Sequence, residues 1–509
     1  MRRWAVEDGM PVHRVAGNKR GSVFAYADEL DGWLHRDQRQ TLPEGQAKAK
    51  ILVLPLQTQA DAVPALVEAI AEEVTRVLSR LTNLAVIAQT TIRSSNVKEN
   101  TGAAIASDLG VDYRIEGALL RKGERWEASL QLHRGSAAET QWRDSVNASE
   151  PGHIPGKIAE LCRAAVADHV LHLPAEKPVA NLPAAPPTDD YLQGRYLLNR
   201  MTPESLRKAV QVFDRVITAA PEFAPAYASK VEALQLLTNF DVVAPAEVMP
   251  DAVLALNTAV ALDPDSAEVF ASLGFLHATY IYDWAAAEAA FKRALSINPN
   301  LVQAHQWYAE CLANMGRFDD GLAAIDAAKK IDPLNLAVDA SRGHVLWLAR
   351  RYEDLWRTGQ RIIDTEPDFP LPHILLFCAC FEQGKYAEAI EIADHAKKVV
   401  QSPMQFEMFS ALGHAMLEGS EQLAQMLAGL KAIAQTQYVP AFSLAILSTY
   451  LPDHDAAIGY LHQAADEKAW HVTMAGQAAL FDPLRSHPEF KDFLARVGLA
   501  QTARPVSSS

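Results

Sequence analysis

Between about residues 189 and 465, apolar positions recur every three to four residues, the spacing of helices that bury one face. Prolines cut this pattern at even intervals. Pro264, Pro299, Pro333 and Pro367 stand 35, 34 and 34 residues apart, and each closes a similar phrase: Ala-Val-Ala-Leu-Asp-Pro264, Ala-Leu-Ser-Ile-Asn-Pro299, Ala-Lys-Lys-Ile-Asp-Pro333 and Ile-Ile-Asp-Thr-Glu-Pro367. Proline cannot continue a helix and pushes the residue before it out of helical geometry. Each phrase therefore predicts a helix end and an enforced turn. A unit of this length cannot bury its apolar face alone, so the units are expected to stack. Ala209, Phe213 and Pro221 mark an earlier unit; the 43 residues from Pro221 to Pro264 predict an insertion near Asp241 to Pro250. After about Val400 the period loosens, while helical amphipathicity continues to Ala465.

Residues 50 to 173 carry a different pattern. Ile51 to Leu56 reads as a short apolar strand, Val63 to Leu81 as a helix, and Leu84 to Ile87 as a second strand. A helix over Ala103 to Leu109 is expected to stop at Gly110. Tyr113 to Gly117 then leads into Trp126 to Leu132, an antiparallel hairpin turning near Lys122-Gly123, and a helix from Ile154 to Val170 closes the unit. Strands interleaved with helices predict an α/β or α+β layer.

From Val302 the chain resembles the tetratricopeptide repeat. Tyr308 lies in the first helix, Met315-Gly316-Arg317-Phe318 at the turn, and Gly321, Ile325 and Ala328 on the second helix before Pro333. Asp283-Trp284, Arg351-Tyr352 and Lys385-Tyr386 repeat the charged-aromatic turn. Gly316 tolerates a left-handed turn, and small residues let the paired helices approach. The resemblance implies an α-α superhelix whose first helices line a groove for an extended peptide or a partner helix. Carried over by register, that lining comprises Glu268, Phe275, Gln303, Gln306, Glu310, Asn314, His344 and Trp347. It lacks the clustered Lys and Arg of grooves that grip a terminal carboxylate. Phe275 and Trp347 also suit packing between repeats.

The middle segment resembles the TolB-like domain that precedes repeats in many bacterial regulators, through Val53-Leu54-Pro55, Leu78-Ser79-Arg80-Leu81, Val86-Ile87-Ala88, and Leu109 to Tyr113 with Glu116-Gly117. No catalytic role follows from that likeness. Pro174, Pro178, Pro183, Pro186 and Pro187 predict a stiff linker over 174–188.

Arg2-Arg3-Trp4, Gly9 to Arg14, Lys19 to Tyr26 and Glu29 to Leu34 resemble the second half of a winged-helix domain of the MerR or excisionase type. The resemblance makes Lys19 and Arg20 the wing, Val23 to Tyr26 a strand and Glu29 to Leu34 the closing helix. Arg2, Arg3, Arg14, Lys19 and Arg20 would then meet DNA phosphates or a minor groove. The first helix and most of the recognition helix of that family have no counterpart after Met1. The segment reads either as part of a longer module or as a remnant that binds nothing.

Charge narrows the field. With 47 Lys and Arg against 62 Asp and Glu the net charge is −15, which argues against coating of nucleic acid by the whole molecule. Cys162, Cys311, Cys378 and Cys380 sit in apolar helical sequence, as buried thiols in a reducing cytosol do. Neither a signal peptide nor a membrane-length apolar run is read, so a cytoplasmic location is expected. His169 and His172 have the i, i+3 spacing of helix-borne metal ligands without a third partner. Phosphate loops and nucleophile elbows are not found. The expectation is a multidomain, mainly α protein: a partial winged-helix segment (1–41), a small α/β domain (48–173), the linker, helical repeats (189–475), a capping helix (476–499) and a disordered tail (500–509). It would be a non-enzymatic interaction scaffold, without cofactor or metal, in signalling or transcription. The alternative is a cytoplasmic scaffold with no DNA role.

Overall fold

The computed structural model describes residues 13–14, 23–24, 49–58, 64–81, 84–87, 101–123, 125–137, 139–148, 154–172, 189–200, 202–239, 243–333, 335–400, 403–502 and 504. It divides into two compact units, residues 1–48 and 49–509. In the first, β1 (His13–Arg14) pairs antiparallel with β2 (Val23–Phe24), placing His13 opposite Phe24 and Arg14 opposite Val23. Arg2, Arg3, Lys19 and Arg20, the closing helix expected over 29–34, and the proline-rich linker lie outside the described residues.

The second unit begins with an α/β layer. Its elements are β3 (Ala49–Val53), β4 (Gln57–Thr58), α1 (Pro64–Ser79), β5 (Leu84–Val86), α2 (Gly102–Asp108), β6 (Tyr113–Lys122), β7 (Arg125–Arg134), β8 (Thr140–Ala148) and α3 (Ile154–His169). The strand order is β5-β3-β6-β7-β8, with β4 also pairing on β6. β3 runs parallel to β5 and β6, while β6, β7 and β8 form an antiparallel meander. Successive strand residues point to opposite faces. Ile51 and Val53 accordingly pack with Leu66, Ile70 and Val74 of α1 and Ile158 and Cys162 of α3. Leu52 and Leu54 pack on the other face with Ile105 of α2. Burial on both faces explains why this strand reads as an unbroken apolar run. β8 escapes sequence reading because it is an edge strand, mostly exposed, with little apolar alternation.

Eight helical hairpins follow: α4 (Asp189–Asn199) with α5 (Pro203–Ala219), α6 (Ala224–Asn239) with α7 (Pro245–Leu262), α8 (Ala267–Leu276) with α9 (Trp284–Ile297), α10 (Val302–Asn314) with α11 (Phe318–Ile331), α12 (Leu336–Leu348) with α13 (Tyr352–Thr365), α14 (Pro370–Glu382) with α15 (Tyr386–Val399), α16 (Pro403–Glu418) with α17 (Glu421–Ile433), and α18 (Ala441–Thr449) with α19 (His454–Asp466). Among the described residues the 43-residue spacing holds no extra element; α6 and α7 have 16 and 18 residues, against 13 and 14 in α10 and α11. Gly321 lets α11 approach α10, because a Cβ there would stand 3.0 Å from the Ala309 carbonyl oxygen. Each hairpin turn from α8 to α15 passes through one left-handed residue, in order Tyr282, Gly316, Arg350 and Gly384. Glycine takes that conformation freely, whereas tyrosine and arginine do so at a cost.

After α19 come two 3-10 turns, Trp470–Met474 and Ala479–Leu484, and then α20 (Pro488–Arg496). Phe481, Phe490 and Phe493 are fully buried in the same core as the repeats. This segment also runs back over the hairpin turns. Trp284 Nε1 donates to the Val497 carbonyl at 2.9 Å, and Tyr450 OH donates to that of Leu480 at 3.0 Å. The tail expected to be disordered is tied down as far as Arg504. Its Nη2 donates to the Leu348 carbonyl at 2.6 Å, and its guanidinium stacks 4.9 Å from the Phe318 ring centroid. Aromatic and carbonyl partners from distant turns, invisible in a Ser-rich terminus, hold it.

Among the described residues no helix is long and apolar enough to cross a membrane. All four cysteines are free and buried. Burial pushes the thiols of Cys162 and Cys311 up to about 12 and that of Cys380 to about 11. They are poor nucleophiles at neutral pH.

Candidate functional site: the inner face of the repeat array

The eight positions assigned by register to a partner groove do lie on the first helices of their hairpins. Their side chains, however, are engaged within the chain. Phe275, Asn314, His344 and Trp347 are buried, each less than 8% exposed. The Phe275 ring lies 4.6 Å from that of Trp307 in the next hairpin, a packing contact between repeats. Asn314 Nδ2 donates to Thr473 Oγ1 of the C-terminal segment at 3.1 Å. His344 meets Trp347 edge-on at 5.6 Å, and burial, helped by His471, holds its imidazole down at about 4. Trp347 Nε1 donates to Glu382 at 3.0 Å, and Tyr352 OH donates to the other oxygen of that carboxylate at 2.9 Å.

The half-buried members enter two separate polar networks, one between α10 and α12 and one running toward the α/β layer. Gln306 Nε2 donates to Ser341 Oγ at 2.9 Å, and Ser341 donates in turn to Glu310 at 2.5 Å. Burial draws the Glu310 carboxyl up to about 7, against the lowering effect of that hydroxyl. Gln303 Nε2 donates to Glu232 at 3.3 Å, and Glu232 receives Arg195 at 3.1 Å. Arg195 lies 3.6 Å from Glu72 of α1. Burial alone would raise the Glu268 carboxyl, but Arg76 and Arg80 beside it hold it below the usual range.

The junction with the α/β layer is closed by two buried asparagines of the α9–α10 connection. Asn298 Nδ2 donates to Ser79 Oγ at 3.2 Å. Asn300 Nδ2 donates to the carbonyls of Ser79 and Leu84 at 2.9 and 3.0 Å. Ser79, Ser341, Glu382 and Asn300 are the residues of this face and junction that sequence reasoning missed. Their partners stand up to 221 positions away, so local periodicity carries no trace of them.

For metal chemistry, His172 leaves the helix in a left-handed conformation (φ 51°), so it shares no helix face with His169. Asp455, His487 and Glu489 bring ligand atoms within 4.8 Å of one another where α19 meets α20; both carboxylates are exposed.

The tetratricopeptide repeat family model matches residues 282–343. The transcriptional regulator HilA of Salmonella paratyphi A is 22% identical over 263 residues, covering 51% of this chain and 46% of that protein. HilA of Salmonella typhi is 21% identical over the same shares. The chain thus spans just under half the length of the curated relatives it matches. Among solved structures, Pseudomonas aeruginosa PilF is 14% identical, with 42% of this chain and 95% of that chain covered and a TM-score of 0.31. The type IV pilus biogenesis factor PilW is 18% identical, with 47% and 98% covered and a TM-score of 0.32.

Proposed function

We propose that this chain is an interaction scaffold of a bacterial regulatory system. The repeat array holds a protein partner, the α/β layer fixes one side of the array, and the amino-terminal segment touches DNA. The observation that carries the reading is the array itself: among the described residues, eight helical hairpins follow one another, four of them sharing one turn geometry, without a catalytic constellation. The likeness to HilA supports a link to transcription, and the α/β layer is consistent in strand and helix order with the TolB-like reading. Arg14, Lys19 and Arg20 bring three basic residues within seven positions of the sequence. Because the buried part of the inner face is engaged internally, a partner would meet its half-buried polar rim, at Gln303 and Gln306.

The test is affinity capture with the full chain from cells of its source, with identification by mass spectrometry. The scaffold reading expects a reproducible partner that is lost on Gln303→Arg with Gln306→Arg and kept on Arg14→Ala with Lys19→Ala and Arg20→Ala. Capture of nothing beyond the background of an unrelated repeat protein would overturn it. A partner without any duplex binding would leave a scaffold with no DNA role.

A further inference from the structure

Away from the inner face, one cleft of about 340 Å³ opens among α11, α12 and α13, lined by Lys329, Asp339, Arg342, Asp354, Arg357, Thr358 and Arg361. On α13 the positions 354, 357, 358 and 361 form a single stripe, and 339 and 342 face it from α12. The floor is built. Asp339 is 3% exposed and is pinned by Lys329 Nζ and by Arg361 Nη2, both at 2.7 Å. Thr358 is 5% exposed and accepts from Arg342 Nη1 at 3.4 Å. At the rim, Arg357 pairs with the half-exposed Asp354 at 2.9 Å, and Arg342 Nε reaches Asp326 outside the cleft at 3.2 Å.

Four cations against two carboxylates leave two positive charges in this lining, on a chain whose net charge is −15. That concentration belongs to one repeat. One period earlier, the places of Lys329, Arg342, Arg357 and Arg361 are taken by Leu295, Tyr308, Ala323 and Ala327; one period later, by Ile363, Leu376, Glu391 and His395. Solenoid packing therefore does not call for basic residues there. Each guanidinium has five N–H donors, and the bonds above engage only one or two nitrogens of each. Arginine suits an anion with several oxygens in a fixed geometry.

We propose that this cleft binds a phosphoryl group as its dianion. Arg342, Arg357 and Arg361 would hold its oxygens and Lys329 would add charge, while the half-exposed carboxylate of Asp354 yields its place. With Asp354 displaced, the four cations face only Asp339 and the neighbouring Asp326, and a phosphoryl dianion matches the two charges left, where a single carboxylate matches only one. The group could be free, as in a small phosphorylated metabolite, or carried on a phosphorylated side chain of a partner; the chemistry is the same.

The experiment is isothermal titration of the full chain with inorganic phosphate at ionic strength fixed by chloride, and separately with a hexapeptide containing phosphoserine. One saturable site is expected. Arg342→Gln with Arg357→Gln should weaken it at least tenfold, with unchanged circular dichroism and Tm in the absence of phosphate. Asp354→Asn removes the competing carboxylate and should tighten binding about threefold, a gain that unfolding cannot mimic. A peptide bound tenfold more tightly than phosphate identifies a protein-borne group; equal binding identifies a free one. No saturable binding of either probe, or affinities unmoved in both variants, overturns the proposal.

Discussion

Arg350 clasps Asp482 across 132 residues of sequence, its Nη2 lying 3.0 and 2.9 Å from the two carboxylate oxygens. It does so from a left-handed backbone conformation (φ 58°), at the turn position where the hairpins on either side use Gly316 and Gly384. Tyr282, the other non-glycine in this series, also reaches the C-terminal region, donating to the Ala469 carbonyl at 3.4 Å. Lys468 Nζ stands 5.0 Å over the Tyr282 ring. Both strained turns therefore touch the C-terminal segment, as the Gly316 turn also does through Asn314 and Phe318.

A substitution series follows from this coincidence. Arg350→Gly loses the clasp but relieves a left-handed penalty of about 1–2 kcal/mol. Arg350→Ala loses the clasp and keeps the penalty. Urea denaturation should therefore rank wild type above Arg350→Gly, and Arg350→Gly above Arg350→Ala. Equal stability of the two variants would mean that the turn carries no strain. Asp482→Asn should cost more than either, about 3 kcal/mol, because Arg485 is buried and loses its own 2.6 Å partner.

Much of the array was legible because proline and the charged-aromatic turns punctuate it at fixed spacing. Register also placed Gln303, Gln306, Glu310 and His344 correctly on first helices. What they touch was not legible. The partners of Asn314 and Arg350 arrive from 159 and 132 residues downstream, and a left-handed arginine runs against every local preference. The left-handed turn at Gly316, by contrast, is announced by its residue type.

Trp347 and His344 now read as structural. Trp347→Ala should cost about 3–5 kcal/mol through the cavity it leaves. The buried Glu382 carboxylate would also lose a donor. His344→Ala together with Trp347→Ala is expected to lower Tm and helical circular dichroism rather than to remove a partner selectively. Gln303→Ala and Gln306→Ala should each cost only about 0.5–1.5 kcal/mol. A double variant that keeps the wild-type Tm would return His344 and Trp347 to the binding surface.

Burial draws the carboxyls of Glu310 and Glu382 up to about 7. In the unfolded chain they titrate near about 4.3. The folded state thus holds these protons more tightly. The two groups are neutral and harmless below pH of about 4, and destabilise increasingly as pH climbs from there through 7. His344, held down at about 4, acts in the opposite sense, with stability lost as pH falls below about 6.5. Glu310→Gln should raise stability at pH 8 by about 1–3 kcal/mol and leave pH 4 nearly unchanged. Urea midpoints at the two pH values decide it; an unchanged pH dependence in the variant would show that Glu310 is solvated.

The junction with the α/β layer turns on Asn300. Asn300→Ala would leave the buried carbonyls of Ser79 and Leu84 without this donor, at about 1–3 kcal/mol each. Loss should be local, because the core from Phe275 onward is separate from that of the α/β layer, which Leu192 of α4 joins. Hydrogen exchange followed by mass spectrometry should show faster exchange in α1 and in the α9–α10 connection, with α14 to α19 unchanged. Uniform acceleration along the whole unit would mean that layer and array unfold as one.

The DNA reading makes a prediction about salt. If Arg14, Lys19 and Arg20 each neutralise one phosphate, the slope of log K against log salt carries about 0.9 from each of them. Fluorescence anisotropy of the full chain on a labelled duplex, from 50 to 200 mM salt, measures that slope. Arg14→Ala with Lys19→Ala and Arg20→Ala should flatten it by about 2 to 3 units. The stability of the array should stay untouched, since these residues lie in the other unit. An unchanged slope would place the contacts elsewhere, and no affinity at 50 mM salt would leave the array as the binding element of this chain.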